Sequence, residues 1–190
     1  MKPGKNLSEL CYTYIFEASW LCDYEVATDE LCAQLGMAFS AAEADAGLHD
    51  TLPDLERLQA LALHANGSIR GKLAVTEADL DWLHARYAHF QQEIEAREPN
   101  RLKNFVLPRG IAPVPELHQA RSTAKKALRC LVRLESEQAE RVRRAIPPEI
   151  PRFLNLLCNF CFLLAVLINQ RRKTGEPLFM SQSYKMKERH

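Results

Sequence analysis

Arg121, Lys125, Arg129 and Arg133 recur every four residues in an amphipathic stretch from about Glu116 to Val142. As a helix, that spacing drifts by about 40° per step, so Arg121 flanks the apolar face while Arg133 points to solvent. A cation set beside apolar neighbours needs an anionic partner. Two kinds are open for Arg121, Lys125 and Arg129: a carboxylate such as Asp29 or Glu30, or a polyphosphate. For Arg133 a solvated face suffices.

Asn155 and Asn159 stand four apart, and they are the only polar residues from Phe153 to Ile168. A helix so apolar is expected to be covered on all sides by protein. Each amide then needs a hydrogen-bond partner, and a ligand can be that partner. Cys158 and Cys161 form a Cys-x-x-Cys without a second pair or a nearby histidine, so they read as buried structural thiols. His49, His64, His84, His89 and His118 show no metal spacing, and no residue is expected to ligate a metal. The sequence holds no Walker-type loop and no Gly-x-Gly-x-x-Gly, and no Ser-His-Asp arrangement has local support.

The elements that must position these residues are helical. A chain of 190 residues is about one domain, and 47% hydrophobic content supplies a core. With 25 basic against 24 acidic residues, no global field argues for nucleic acid or an anionic membrane. The stretch Phe153–Ile168 falls short of the roughly 20 residues of a spanning helix, so a buried core helix is expected. A polar start and six scattered cysteines point to free thiols in a reducing cytoplasm.

Taken in order, residues 1–23 are an N-terminal strap whose secondary structure stays open between a helical face and an extended segment. A first helix is expected from about Tyr24 to Ala46, burying Leu31, Leu35, Ala38, Phe39 and Ala42. A second starts near Pro53 and stops at Asn66-Gly67. Thr76-Glu-Ala-Asp79 resembles a capping box, opening a third with the three-four spacing Leu80, Leu83, Tyr87, Phe90, Ile94. Residues 98–115 make the longest loop, with four prolines yet an apolar Leu102, Phe105, Val106 and Leu107. The basic-striped helix and the Pro151–Arg172 helix follow, and a polar, basic, mobile tail covers 173–190. The expected fold is all-α, a five-helix bundle over 24–172.

Four segments in this order resemble the corrinoid (cobalamin) adenosyltransferases of the PduO type. Ala27-Thr-Asp-Glu-Leu-Cys-Ala-Gln-Leu-Gly36 is similar to that family's DELNS-x-x-G helix. Leu102-Lys-Asn-Phe-Val-Leu-Pro-Arg-Gly110 is similar to its F-[IV]-L-P-G-G loop. Leu117–Arg129 stands against H-x-[AC]-R-T-x-x-R-R-A-E-R, and Phe153–Asn159 against Y-L-N-R-L-S-D. The resemblance implies a homotrimeric five-helix bundle with ATP, Mg2+ and a corrinoid bound between subunits. It implies that Co(I) attacks the ribose 5′ carbon of ATP and expels triphosphate. Phe105 matches the aromatic that displaces the lower axial ligand of cobalt, and Asp29 matches the first-helix carboxylate. Lys125 and Arg129, with Arg121 in the same segment, match the phosphate-holding cations. Asn155 matches the nucleotide-contacting asparagine. Phe105, Asp29 and Lys125 are thus the residues expected to act in the reaction, and Arg121, Lys125, Arg129, Asn155 and Phe105 those expected to bind substrate. A reductase or a corrinoid-dependent enzyme is a further implied partner, and the implied location is cytoplasmic, with association to a bacterial microcompartment open.

The chain departs from the family pattern at named positions. Tyr12-Thr-Tyr-Ile-Phe-Glu-Ala-Ser stands where the family has T-x-T-G-D-x-G-x-T. Leu128 replaces the glutamate of the arginine-rich segment, Leu156 replaces the arginine after the asparagine, and Cys158-Asn159 replaces S-D. Lys125 gives up the bidentate geometry of arginine. The second reading is a non-catalytic, corrinoid-binding or structural relative; the third is a plain helical interaction module.

Overall fold

The computed structural model describes residues 4, 6–103, 105–137 and 145–183. Among them are five α-helices: α1 (Trp20–Glu43), α2 (Leu52–Ser68), α3 (Glu77–Arg97), α4 (Val114–Glu137) and α5 (Glu149–Arg171). Short 3-10 turns lie at Leu7–Glu9, Ala46–Thr51 and Arg101–Lys103. The main packed pairs are α1 with α2, α1 with α4, α4 with α5, and α3 with α5. These contacts run α2–α1–α4–α5–α3 and close on themselves, since Arg86 of α3 pairs with Asp54 of α2 at 2.7 Å and Asp79 of α3 with Arg57 of α2 at 2.8 Å. Both α3 and α4 pack on α5, so the loop between them joins two neighbours of that helix. The all-α expectation holds, and the expected end of α4 at Val142 lies outside the described residues.

Local sequence explains most boundaries. Ser19 caps α1, its hydroxyl accepting from the Cys22 amide at 3.2 Å. Thr76 and Asp79 form the reciprocal capping box of α3, with the Thr76 amide donating to Asp79 at 2.9 Å. Pro53 sits in the first turn of α2. The expected stop at Asn66-Gly67 falls one residue early, since α2 runs on to Ser68. Asn66 is engaged elsewhere: its amide donates across to the Glu25 carbonyl at 2.6 Å and to Thr28 Oγ1 at 2.8 Å. Tyr24, fully buried, adds a hydroxyl bond to the Ala65 carbonyl at 2.7 Å, so α1 and α2 are joined by polar as well as apolar contact.

The core gathers Tyr24, Phe90, Phe153 and Phe160 among rows of leucine, with the Phe90 and Phe160 rings 5.8 Å apart between α3 and α5. By length and composition α5 could cross a membrane; in the bundle 72% of its apolar window is buried. One expectation about it is corrected. Its first half is not covered all round, because Arg152, Asn155 and Asn159 share an exposed face. Asn155 is no buried amide in search of a partner; its Nδ2 donates to the Pro151 carbonyl one turn back, at 3.0 Å. The apolar excess of α5 is concentrated from Leu163 to Asn169, where every residue is buried.

The two ends are more tightly held than expected. Tyr14 lies under the Arg70 guanidinium at 3.8 Å, and Arg70 also pairs with Glu25 at 2.7 Å and Glu17 at 2.8 Å. The stretch expected as the start of a mobile tail pairs with the 98–113 loop instead. Val106 and Leu178 form an antiparallel bridge, the Leu107 amide donates to the Pro177 carbonyl at 2.9 Å, and the Phe179 amide donates to the Phe105 carbonyl at 2.8 Å. Tail residues 184–190 lie outside the described residues.

Candidate functional site

α4 supplies the cations, and its packing sets how each is used. Arg121 is half-buried, whereas Lys125, Arg129 and Arg133 are exposed. This is the drift expected from a four-residue stride on a 3.6-residue helix. Arg133 is not simply solvated, because its guanidinium stacks 4.3 Å from the Trp20 ring. Arg121 stacks on Phe162 of α5 at 5.3 Å, and its Nε is buried without a hydrogen-bond partner.

The expected carboxylate partners do not serve the stripe. Glu30 pairs with Lys126, the next residue along, at 2.9 Å between exposed side chains. Asp29 is exposed and forms no ion pair among the described residues. The reason is geometric: α1 faces the flank of α4 that carries Lys126, one residue or about 100° around from Lys125. Arg121, Lys125 and Arg129 are therefore left without a carboxylate among the described residues. They share their side of α4 with α5, where burial pushes the Cys158 thiol up and Lys125 and Arg121 pull it partly back. Burial also pushes Cys161 up, and both cysteines are free and buried, as structural thiols are.

Beside Arg121 opens a cleft of about 520 Å³ lined by Glu30, Gln34, Pro108, His118, Arg121 and Ser122, among others. That volume lies in the range of small-molecule sites. Its rim is formed by α1, by α4 and by the loop that carries Phe105. Phe105 itself is 51% exposed, an aromatic ring on a residue whose carbonyl accepts from the Phe179 amide. Asn169 is buried in the last turn of α5, and its amide donates to the Arg109 carbonyl at 2.9 Å. Gly110 passes so close that an added Cβ would lie 2.7 Å from Asn169 Oδ1 and 2.6 Å from Val114 Cγ1, so only glycine fits there. Arg172 donates to the Ala112 carbonyl and pairs with Asp45.

Four residues that organise this loop were not singled out from sequence: Asn169, Arg172, Glu176 and Arg101. Only Glu176 carried a signal, as one of two acidic residues in a basic tail. Leu128 and Leu156, the two apolar replacements, pack against or within the core.

Residues 21–168 match the model of the cobalamin adenosyltransferase family. The chain belongs to that family. A corrinoid adenosyltransferase of Bacillus subtilis (strain 168) is 26% identical over 153 residues, covering 78% of this chain and 74% of that protein. Among solved structures, a phenylalanine-to-alanine variant of a PduO-type ATP:corrinoid adenosyltransferase from Lactobacillus reuteri, complexed with cobalamin and ATP, aligns with a TM-score of 0.71. The two share 20% identity over 87% of this chain and 88% of the other. An arginine-to-lysine variant of such an enzyme from the same organism, complexed with ATP, aligns at 0.70 with 21% identity over 86% and 89%. The expected family and its helical fold are both found. Within this adenosyltransferase fold, the roles of Phe105, Asp29, Arg121, Lys125, Arg129 and Asn155 rest on position alone.

Proposed function

We propose that the protein transfers the 5′-deoxyadenosyl group of ATP to cob(I)alamin and releases triphosphate. The observation that carries this reading is the trio Arg121, Lys125 and Arg129, cations without a carboxylate partner among the described residues, in a chain of the cobalamin adenosyltransferase family. Polyphosphate is the anion such a trio is built to take. Relatives of this fold are complexed with cobalamin and ATP, which supports the substrate pair.

In the reaction the cobalt electron pair forms a bond to the ribose 5′ carbon as the carbon–oxygen bond breaks, and the leaving pair goes with triphosphate. The chain's part is to orient and neutralise. Arg121, half-buried on the cleft wall, offers its guanidinium to a phosphate oxygen; Lys125 and Arg129 spread the developing charge. Asn155, exposed and among the described residues bonded to the Pro151 carbonyl of its own helix, offers its side-chain carbonyl to the nucleotide. Phe105 presents an apolar ring to the lower face of the corrinoid. Asp29, exposed and without an ion pair among the described residues, receives a cation of the bound complex. Mg2+, where it accompanies the nucleotide, would neutralise phosphate charge beside Arg121, Lys125 and Arg129. The enzyme acts as a homotrimer, in keeping with half-exposed faces of α4 and α5 that one chain leaves open. Its free thiols suit a reducing cytoplasm, with or without a microcompartment, where a reductase or a corrinoid-dependent enzyme is a natural partner.

The test is adenosylcobalamin formation from cob(II)alamin, ATP and Mg2+ under reduction, together with the absorbance change of four-coordinate cob(II)alamin. Turnover is expected, and no spectral change with ATP present sinks the reading. One observation favours a second reading, a corrinoid-binding relative without catalysis. The segment in place of the glycine-rich loop is clamped by Arg70, and Leu128 and Leu156 have replaced charged residues. A spectral change without turnover selects that alternative.

A further inference from the structure

Glu176 has no exposed side-chain surface, yet it lies past the last helix in a segment otherwise on the surface. Its Oε1 lies 2.8 Å from His118 Nε2 on α4. Its Oε2 lies 3.7 Å from Arg101 Nη2 and has no hydrogen bond, while the same guanidinium nitrogen donates to the Glu176 carbonyl at 3.4 Å. Three segments remote in sequence thus meet at one carboxylate. A buried ion pair adds little net stability over an apolar pair of similar volume, but it penalises every arrangement that leaves the charge unpaired. Its consequence is register.

That register has a visible output. With Glu176 seated, Pro177, Leu178 and Phe179 align against Leu107, Val106 and Phe105. A slip of one residue would turn Leu178 and Phe179 to opposite faces. The pairing holds the loop with Phe105, Leu107, Leu178, Phe179 and Met180 presenting apolar side chains to solvent. His118 also lines the cleft beside Arg121, so the same carboxylate orients a residue on the wall of that cleft.

We infer that Glu176 is a positioning residue, locking the tail to the Phe105 loop through His118 and Arg101 so that the loop is set for the corrinoid. The inference rests on the adenosyltransferase reading and concerns a residue that touches neither substrate.

The experiment compares wild type with Glu176→Ala and Glu176→Gln at full length. KM is measured for cobalamin and for ATP, and amide exchange of Leu107 and Phe179 is measured without ligand. A misplaced loop should raise the cobalamin KM by about tenfold or more in Glu176→Ala, with ATP KM within about twofold. Glu176→Gln, which keeps the shape and loses the charge, should fall between. Exchange at both amides should accelerate in parallel. If Glu176→Ala does not fold, Glu176→Gln alone decides. Unchanged cobalamin KM in a folded variant overturns the proposal while leaving the activity intact. If the wild type forms no adenosylcobalamin, the enzymatic reading and this positioning role fall together, and the exchange data then report only whether the clamp exists.

Discussion

Arg121 is the residue where burial and charge conflict most plainly. Its guanidinium rests on Phe162 and its Nε is buried without an acceptor, an arrangement that costs free energy. Replacement by alanine should raise KM for ATP by about tenfold to a hundredfold while cob(II)alamin binding persists, as steady-state kinetics would show. Phe105 makes the reverse prediction. Phe105→Ala should leave ATP affinity in place and remove most of the four-coordinate cob(II)alamin signal, with turnover lowered by about a hundredfold. Equal loss for both substrates in either variant would contradict the division of labour. The sequence marked Arg121, Lys125, Arg129 and Phe105 by type and spacing alone. It left the cations' partner open between a carboxylate and a polyphosphate, because whether Lys125 or Lys126 meets α1 depends on helix rotation, which a one-residue difference in spacing does not resolve.

Among the elements, α5 is held at both ends by polar contacts that its apolar middle does not announce. Arg171 bonds Glu93 of α3 at 2.8 Å and Asp50 at 2.9 Å, and this hydrogen bonding holds the Glu93 carboxyl below its ordinary range. A depressed carboxylate stabilises the fold above its unfolded pKa of about 4.3, and the contribution is lost as pH falls through the folded value. Glu93→Gln should therefore be less stable than wild type by about 1 kcal/mol near pH 7, after allowance for partial exposure. The difference should shrink below about pH 4 as the wild-type carboxyl is protonated, which urea denaturation at the two pH values would show. At the α1–α2 contact, Tyr24→Phe should cost about 1–2 kcal/mol by leaving the Ala65 carbonyl without its bond. The capping box of α3 was legible before any coordinates because Thr76 and Asp79 are neighbours in sequence. The Asn66 bridge was not, because its acceptors lie 41 and 38 residues away.

At the scale of the molecule, the open faces of α4 and α5 set the expected assembly. Light scattering should give three times the mass of one chain, and a monomer that still turns over would remove the intersubunit site from the proposal. Chelation of Mg2+ should abolish turnover and leave the corrinoid spectrum in the absence of ATP unchanged. The sequence by itself determined the number of helices, the stripe of cations, the capping box of α3 and the family. All of these depend on patterns that repeat within about 20 residues or on motifs in linear order. Only the tertiary structure decided which cations remain unpaired, that Asn155 lies on an exposed face, and that Glu176 reaches back to His118 and Arg101. Those facts rest on the rotation of one helix against another and on contacts between segments far apart in the chain. A polar residue looks the same in sequence whether the fold buries it beside a cation or leaves it to water.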